Sequence, residues 1–506
     1  MLKVKNQNLT NKILKSSFII VLFTLFTSPL GYFVRMIFSR ALSIEEYGLI
    51  YAVLSFFGMF TIVNDLGFGY AVSYFVPKLY RQKKFDLCWY LYKYDQIIET
   101  VTSIVISLAL IAGNNWLSIN FFKHQGSKDL VFLFSLYLIA SGIVSSIQKL
   151  LVGLQKDKYY SSIELLRLGF TLIFSFLFFL FDIKDIRYYA FSFVFAYILV
   201  AIIFSILIRL KFNFLITPLK WRPNLFNKAF KYALPTFLTS SLYIFINHID
   251  VLFLTYFQNV AVVGIYNIIF PIVSVSTLVL QPVGKMILPL VSELSEGKKD
   301  KLEILLNQLF KIAPFVGLYF GLFIFFFSKG LISMMFGFKW VKEAMIPLRV
   351  MSLAYILTLM NIYLTAVLNG LGEVRSRFKI SLVLTFLSVI LGAIGAKYWG
   401  ILGVIFANSL VFLTSITLSY KVIKKSVEFK VPYKLYFKFF FIFVFVIILR
   451  TKMTYNPISI IEIFLIGILY TLFMVIVAIK LKVLDFKIFK TFLSDKKMKF
   501  NFLNKK

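Results

Sequence analysis

Apolar runs of about twenty residues recur from one end of this 506-residue chain to the other, separated by short, lysine-rich polar stretches. As an α-helix rising about 1.5 Å per residue, each run crosses roughly 30 Å of hydrocarbon. A soluble chain gathers its apolar residues into one core. Here 60% of residues are hydrophobic, 61 are Phe, and the mean hydropathy is +0.87, spread along the whole length. The pattern predicts an all-α polytopic membrane protein of about 14 transmembrane helices.

The predicted spans are Leu14–Phe38, Tyr47–Val76, Tyr90–Ala112, Leu130–Val152, Ser162–Phe181 and Tyr188–Leu210, then Phe230–Phe257, Val260–Val291, Leu309–Phe327, Met345–Asn369, Phe378–Tyr398 and Gly400–Lys421. Tyr433–Leu449 and Ile458–Ile479 close the series. The first run exceeds a signal-peptide core and is followed by RALSIEEYG instead of a small-residue cleavage site, so it reads as a retained span. With both termini cytoplasmic, 39 of the 55 Lys and Arg fall inside, 12 outside and four within spans. That ratio satisfies the positive-inside rule and places the protein in the cell membrane as a multi-pass protein. Lys149 is counted here with the inside loop cations.

The formal charge of +33 is thereby explained by topology, and without a soluble basic module nucleic acid is excluded as a partner. The lone Cys88 and two histidines, His124 and His248, leave neither an internal disulfide nor a metal cluster. No nucleotide-binding sequence is present, and the longest internal loop, Lys211 to Ala229, is too short for a soluble catalytic domain. No cofactor is expected beyond a coupling Na⁺ or H⁺.

Set against itself at a shift of 216 or 217, the chain matches YGLIY at Gly48 with VGIY at Gly264, and LVGLQKDK at Gly153 with LNGLGEVR at Gly370. Six helices separate equivalent points, so the copies share one orientation. This is a parallel pseudo-two-fold repeat about the membrane normal. The predicted organisation is an N-terminal lobe (1–211), an inter-lobe loop (212–229), a C-terminal lobe (230–425), two extra helices (426–482) and a basic cytoplasmic tail (483–506).

The stretch RALSIEEYGLIYAVLSFFGMFTIVNDLGFGYAVSYFVPKL, followed by ALPTFLTSSLYIFINHIDVLFLTYF, VVGIYNIIFPI and ILPLVSEL, resembles the Wzx-type polysaccharide flippases of the multidrug/oligosaccharidyl-lipid/polysaccharide (MOP) exporter superfamily. The resemblance runs through the twelfth span and includes the two additional C-terminal helices. It implies two six-helix lobes around a central cavity, and movement of polyprenyl-linked oligosaccharide from the inner to the outer leaflet. Peptidoglycan-precursor flippases carry an Arg-Asp pair on the first span. Here Met36 follows Arg35, which favours the general polysaccharide branch. The implied partners are lipid-linked oligosaccharide, membrane lipid and glycan-assembly proteins. The alternatives are an ion-coupled drug or metabolite antiporter on the same fold and a membrane-embedded enzyme of glycan assembly.

Charges buried in lipid are costly and concentrate on transport routes. Arg35, Lys285 and Arg349 are candidate contacts to the cargo pyrophosphate; the resemblance supports the first two, since relatives carry basic cavity residues on the corresponding helices. Arg35 and Arg349 alternatively snorkel to the headgroups. Asp65, between Asn64 and the glycines Gly67 and Gly69, faces the cavity if the helix breaks there, or else serves packing. Asp250 shares a helix face with Asn247 and Tyr243, a set suited to a coupling cation or proton, or to an ion pair with a neighbouring span. His248 points elsewhere, as a packed polar residue. Asp95, Glu99 and Lys93 read as a local pairing near the inner interface, as do Glu164 and Arg167.

Overall fold

The computed structural model describes residues 2–295, 299–452 and 459–483. Fifteen α-helices follow one another there: α1 (Leu2–Ala41), α2 (Ile44–Asn64), α3 (Phe68–Arg81), α4 (Phe85–Ala112), the single turn α5 (Asn114–Trp116), α6 (Ser127–Gly153), α7 (Asp157–Leu180) and α8 (Ile186–Lys211). The remainder are α9 (Pro223–Phe257), α10 (Val260–Ser295), α11 (Lys299–Phe336), α12 (Val341–Gly370), α13 (Val374–Ser426), α14 (Tyr433–Lys452) and α15 (Ile460–Lys480). Among the described residues no strand occurs, and ten helical stretches are long and apolar enough to cross a membrane. Each predicted span but the second falls on one helix as far as the residues are described; Ile458, where the last begins, lies outside them. The basic tail lies outside the described residues from 484 onward, as do the side chains of Tyr243, Asn247 and Lys285.

The second span differs from the uninterrupted helix expected, whereas the predicted boundary between the eleventh and twelfth coincides with a break. The second span is two helices, because α2 stops at Asn64 and Gly67 adopts φ +76° before α3. The eleventh and twelfth share α13, which is broken at Gly400 (φ 56°, ψ −132°). Next to that break the Ala396 carbonyl accepts a hydrogen bond from Gln258 Nε2 at 2.7 Å, so a backbone acceptor that a regular helix would pair is satisfied by a side chain.

The chain divides into two compact units. Within the described residues, the first holds everything up to Asn267 together with Gly392–Ile401; the second holds Ile268–Leu391 and continues from Leu402. In the first unit α1 packs along α7, α6 against both α4 and α8, and α9 against α2 and α3. In the second, α11 packs on α12, and α14 and α15 dock on α11 through Phe315, Leu318, Leu322, Phe439, Val446 and Met474.

The helices are amphipathic in the inverse sense of a soluble protein. On α4, Val101, Val105 and Leu108 face outward, while Asp95, Glu99, Ser103 and Ser107, spaced by four, form a buried stripe. Small and polar side chains fill helix contacts because lipid offers apolar groups no incentive to leave it.

The repeat landmarks reappear as packing. A Cβ on Gly153 would lie 2.8 Å from Val76 Cβ and 3.5 Å from the Val72 carbonyl oxygen. A Cβ on Gly370 would lie 2.7 Å from Val291 Cβ and 2.8 Å from the Leu288 carbonyl oxygen. The matched glycines thus make matched contacts, each inside its own unit. Gly48 and Gly264 pack on one another, and a Cβ on Gly48 would stand 1.8 Å from the Val260 carbonyl oxygen.

Gly48→Ala must therefore push α2 and α10 apart, and the expected cost is about 3 kcal/mol, the upper part of the overpacking range. Gly169→Ala, where no atom lies within 4 Å of the added carbon, is expected to be neutral or to stabilise α7 by up to about 1 kcal/mol. Thermal unfolding in detergent distinguishes the two, and equal melting temperatures would refute the contact.

Candidate functional site

The interruption between α2 and α3 creates a charged cluster inside the first unit. Freed from the helix, the Asp65 carboxylate accepts the Gly67 N–H at 2.8 Å on Oδ1 and the Lys149 ammonium at 2.7 Å on Oδ2. Gly69 makes room for that lysine, since a Cβ there would lie 2.2 Å from Lys149 Cδ and Cε. From the buried stripe of α4, Glu99 contacts the same ammonium, and Asp95 Oδ1 lies 3.8 Å from it. Ser145 Oγ donates to Glu99 Oε1 at 3.0 Å, and Ser146 Oγ to Glu99 Oε2.

Asp65, Asp95 and Glu99 each place a carboxylate oxygen within 4.8 Å of the others, a spacing suited to a cation, and the Lys149 ammonium supplies that positive charge. Neither Asp95 oxygen has a hydrogen-bond partner among the described residues, although the residue is fully buried. Three carboxylates on one ammonium is an expensive combination in low dielectric, so each contact to Lys149 matters.

Beside the cluster lies a cavity of about 410 Å³, walled by α2, α4, α6, α7, α8 and α9. Glu99 belongs to both cluster and cavity. On the far wall Arg167 grips Glu164 through Nε (2.9 Å to Oε2) and Nη2 (to Oε1), with its guanidinium carbon 5.1 Å from the Tyr197 ring centre. Tyr137 meets Tyr197 edge to face at 4.7 Å. Asn64, 3% exposed, also lines the cavity, and its Oδ1 has no hydrogen-bond partner.

The sequence-derived candidates lie in different surroundings. Asp65 sits in the cluster. Arg35 donates from Nη1 to the Asn267 carbonyl at 3.2 Å, with its guanidinium carbon 4.4 Å from the Tyr51 ring centre, and so ties α1 to α2 and α10. Asp250 accepts from the Tyr266 hydroxyl at 2.8 Å. In the second unit Arg349 donates from Nε to Ser328 Oγ at 2.9 Å, beside Phe325. His248 is packed, its ring against Gly58, and it lines the cavity as well.

The local pairing of Lys93 with Asp95 and Glu99 does not form. Lys93 Nζ donates to Gln96 Oε1 at 2.7 Å, because two residues along a helix turn it about 200° away from Asp95. Lys149, counted in sequence as a loop cation, lies within α6 and is the cluster's centre. A signal was present in the spacing of Ser141, Ser145 and Lys149, four apart on one face of α6. The Glu164–Arg167 pair forms as expected.

The profile of the family described as polysaccharide biosynthesis protein matches residues 13–295, and that of the MatE family matches residues 235–396. An uncharacterized membrane protein of Methanocaldococcus jannaschii is 22% identical over 390 residues, 74% of this chain and 77% of that protein. Among solved structures, a lipid II flippase MurJ in an inward closed conformation aligns with a TM-score of 0.68 at 17% identity, covering 92% of this chain and 99% of that one. An inward-facing multidrug resistance MATE family transporter of the MOP superfamily aligns with a TM-score of 0.64 at 15% identity, covering 80% and 95%. The chain therefore has the fold of MOP transporters and flippases.

Removing the ammonium leaves buried carboxylates uncompensated, so Lys149→Ala is expected to cost about 3–5 kcal/mol. Neutralising the acids in the same background, with Asp95→Asn and Glu99→Gln, is expected to restore most of that loss. Melting of the purified protein in detergent reads both; an unaltered melting temperature for Lys149→Ala would dismiss the cluster as an energetic centre.

Proposed function

We propose that this chain, which belongs to the polysaccharide biosynthesis protein family, is a Wzx-type flippase of the MOP superfamily. It moves a polyprenyl-pyrophosphate-linked oligosaccharide from the inner to the outer leaflet of the cell membrane by alternating access of its two lobes, with both termini cytoplasmic. The observation that carries this reading is the polar cavity with its buried charges, held inside helices whose outer faces are apolar. A lipid-linked head group needs that combination: water-like contacts for the sugars within the protein, while the polyprenyl tail stays in hydrocarbon. The structural neighbour that is a flippase for lipid II supports a lipid-linked cargo.

No covalent bond is made or broken, so the residues act by binding and release. Arg35, Lys285 and Arg349 meet the pyrophosphate along its route, where charge-assisted contacts are strong, and Asp65 lies beside the sugar path. Asp250, with Asn247 and Tyr243 on one face of α9, couples the cycle to Na⁺ or H⁺. Glycan-assembly proteins deliver and receive the cargo. The match to the MatE profile favours a second reading, ion-coupled export of a small molecule on the same fold.

Purified protein in liposomes should translocate a fluorescent polyprenyl-pyrophosphate oligosaccharide, measured by quenching from outside; export of small cations without lipid translocation would select the second reading. Lys285→Ala, losing one charge-assisted contact worth about 1.5–3 kcal/mol, should slow translocation by tenfold or more at unchanged protein level. Asp250→Asn should alter the dependence on Na⁺ or pH more than cargo binding, and superimposable ion curves would remove it from coupling.

A further inference from the structure

We propose that the cavity of the first unit is a carbohydrate subsite that receives one neutral monosaccharide ring of the cargo; this deepens the flippase reading and rests on it. Its volume of about 410 Å³ sits low in the roughly 300–1,000 Å³ range of small-molecule sites, and equals the space of on the order of ten waters. That suits a single sugar ring and is too small for a whole oligosaccharide.

The charges lining the cavity are already matched. Arg167 is held by Glu164, and Glu99 by Lys149, Ser145 and Ser146. A phosphate would have to displace Glu164 from Arg167, and a cation would compete with two resident cations, so neither gains much by entering. What remains uncommitted is neutral hydrogen-bonding capacity. Asn64, at the cavity wall, has a buried Oδ1 without a donor, a deficit of about 1–3 kcal/mol that turning its amide toward a ligand N–H or O–H would relieve. Gln148 adds an amide that both donates and accepts, which fits adjacent hydroxyls of a pyranose. Tyr137 and Tyr197 supply aromatic surface for the ring's C–H face. Acceptors, a planar amide and aromatic walls without free charge are the chemistry of a neutral polyol ring.

The chain's single cysteine, Cys88, is fully buried, so Ser141→Cys places one reactive thiol in the cavity wall. Maleimide labelling of this variant, full length in lipid nanodiscs, is followed with methyl glucoside, methyl galactoside, N-acetylglucosamine, inorganic pyrophosphate or tetraphenylphosphonium as competitor. At least one saccharide should slow labelling about tenfold once present at ten times its dissociation constant. Asn64→Leu should abolish that protection while leaving the labelling rate without sugar unchanged; Gln148→Met serves if Asn64→Leu fails to fold. Protection by pyrophosphate or tetraphenylphosphonium alone, or by none of the five, overturns the proposal. Translocation in liposomes is scored separately. Lost protection with intact translocation removes only the subsite, and intact protection without translocation removes only the flippase reading.

Discussion

In hydrocarbon no water is available to pair a backbone N–H or C=O, and every other feature of this fold follows from that deficit. Helices answer it residue by residue, and so the described chain is a succession of helices joined by short turns and connections. Once the backbone is satisfied, lipid accepts the apolar side chains as readily as a protein core does, and the interior is free for groups that lipid rejects. The α4 stripe of Asp95, Glu99, Ser103 and Ser107 shows the result: the polar face is the buried face. Where a helix does break, the freed groups find partners, as Asp65 does for the Gly67 N–H and Gln258 for the Ala396 carbonyl.

The same deficit makes the Lys149 cluster costly and specific together. Buried ion pairs rarely add stability relative to an apolar replacement, yet losing one partner is severe. Three helical segments and one break must converge for the ammonium to reach Asp65, Asp95 and Glu99, and Gly69 must leave room for its stem. Such a centre penalises any sliding of α6 relative to α4, because a shift of one turn would strand a charge. The cluster thus holds the register of helices that lipid-facing apolar contacts would leave free to slip, and it keeps one wall of the cavity rigid.

Much of the fold was legible in the sequence because its signals are local. Span length and the glycines at 48, 153, 264 and 370 each sit within one window, and the glycines proved to be close helix contacts. The NDLGFG stretch allowed a break or a close helix contact, and the structure has the break. The site was harder to read because its pairings are long-range. Lys149 meets acids 50 and 84 residues away, and its only local signal is the four-residue spacing from Ser141 and Ser145, which does not say which acids it meets. Lys93, by contrast, lies beside Asp95 in sequence and on a different face in space. Adjacency along the chain is a poor guide to ion pairing wherever helix phase decides which side chains meet.

The repeat sharpens what the cavity is for. At the shift of 216 that aligns Gly48 with Gly264, Asp65, Asp95 and Glu99 of the first copy correspond to Gln281, Lys311 and Phe315 of the second, and at the shift of 217 that aligns Gly153 with Gly370, Lys149 corresponds to Ala366. The second copy therefore has no acid at these positions, while the matched glycines Gly153 and Gly370 make matched helix contacts. In place of Glu99, Phe315 packs on Phe439, inside the apolar cluster that joins α11 to α14 and α15. At the position of Glu99, then, the first unit has a carboxylate beside a cavity and the second has an aromatic ring packed against the added helices. If the cluster merely solved a packing problem common to the fold, the second copy would need it as well. Among the described residues the three-carboxylate cluster occurs in the first unit, beside the polar cavity, and Glu99 belongs to both.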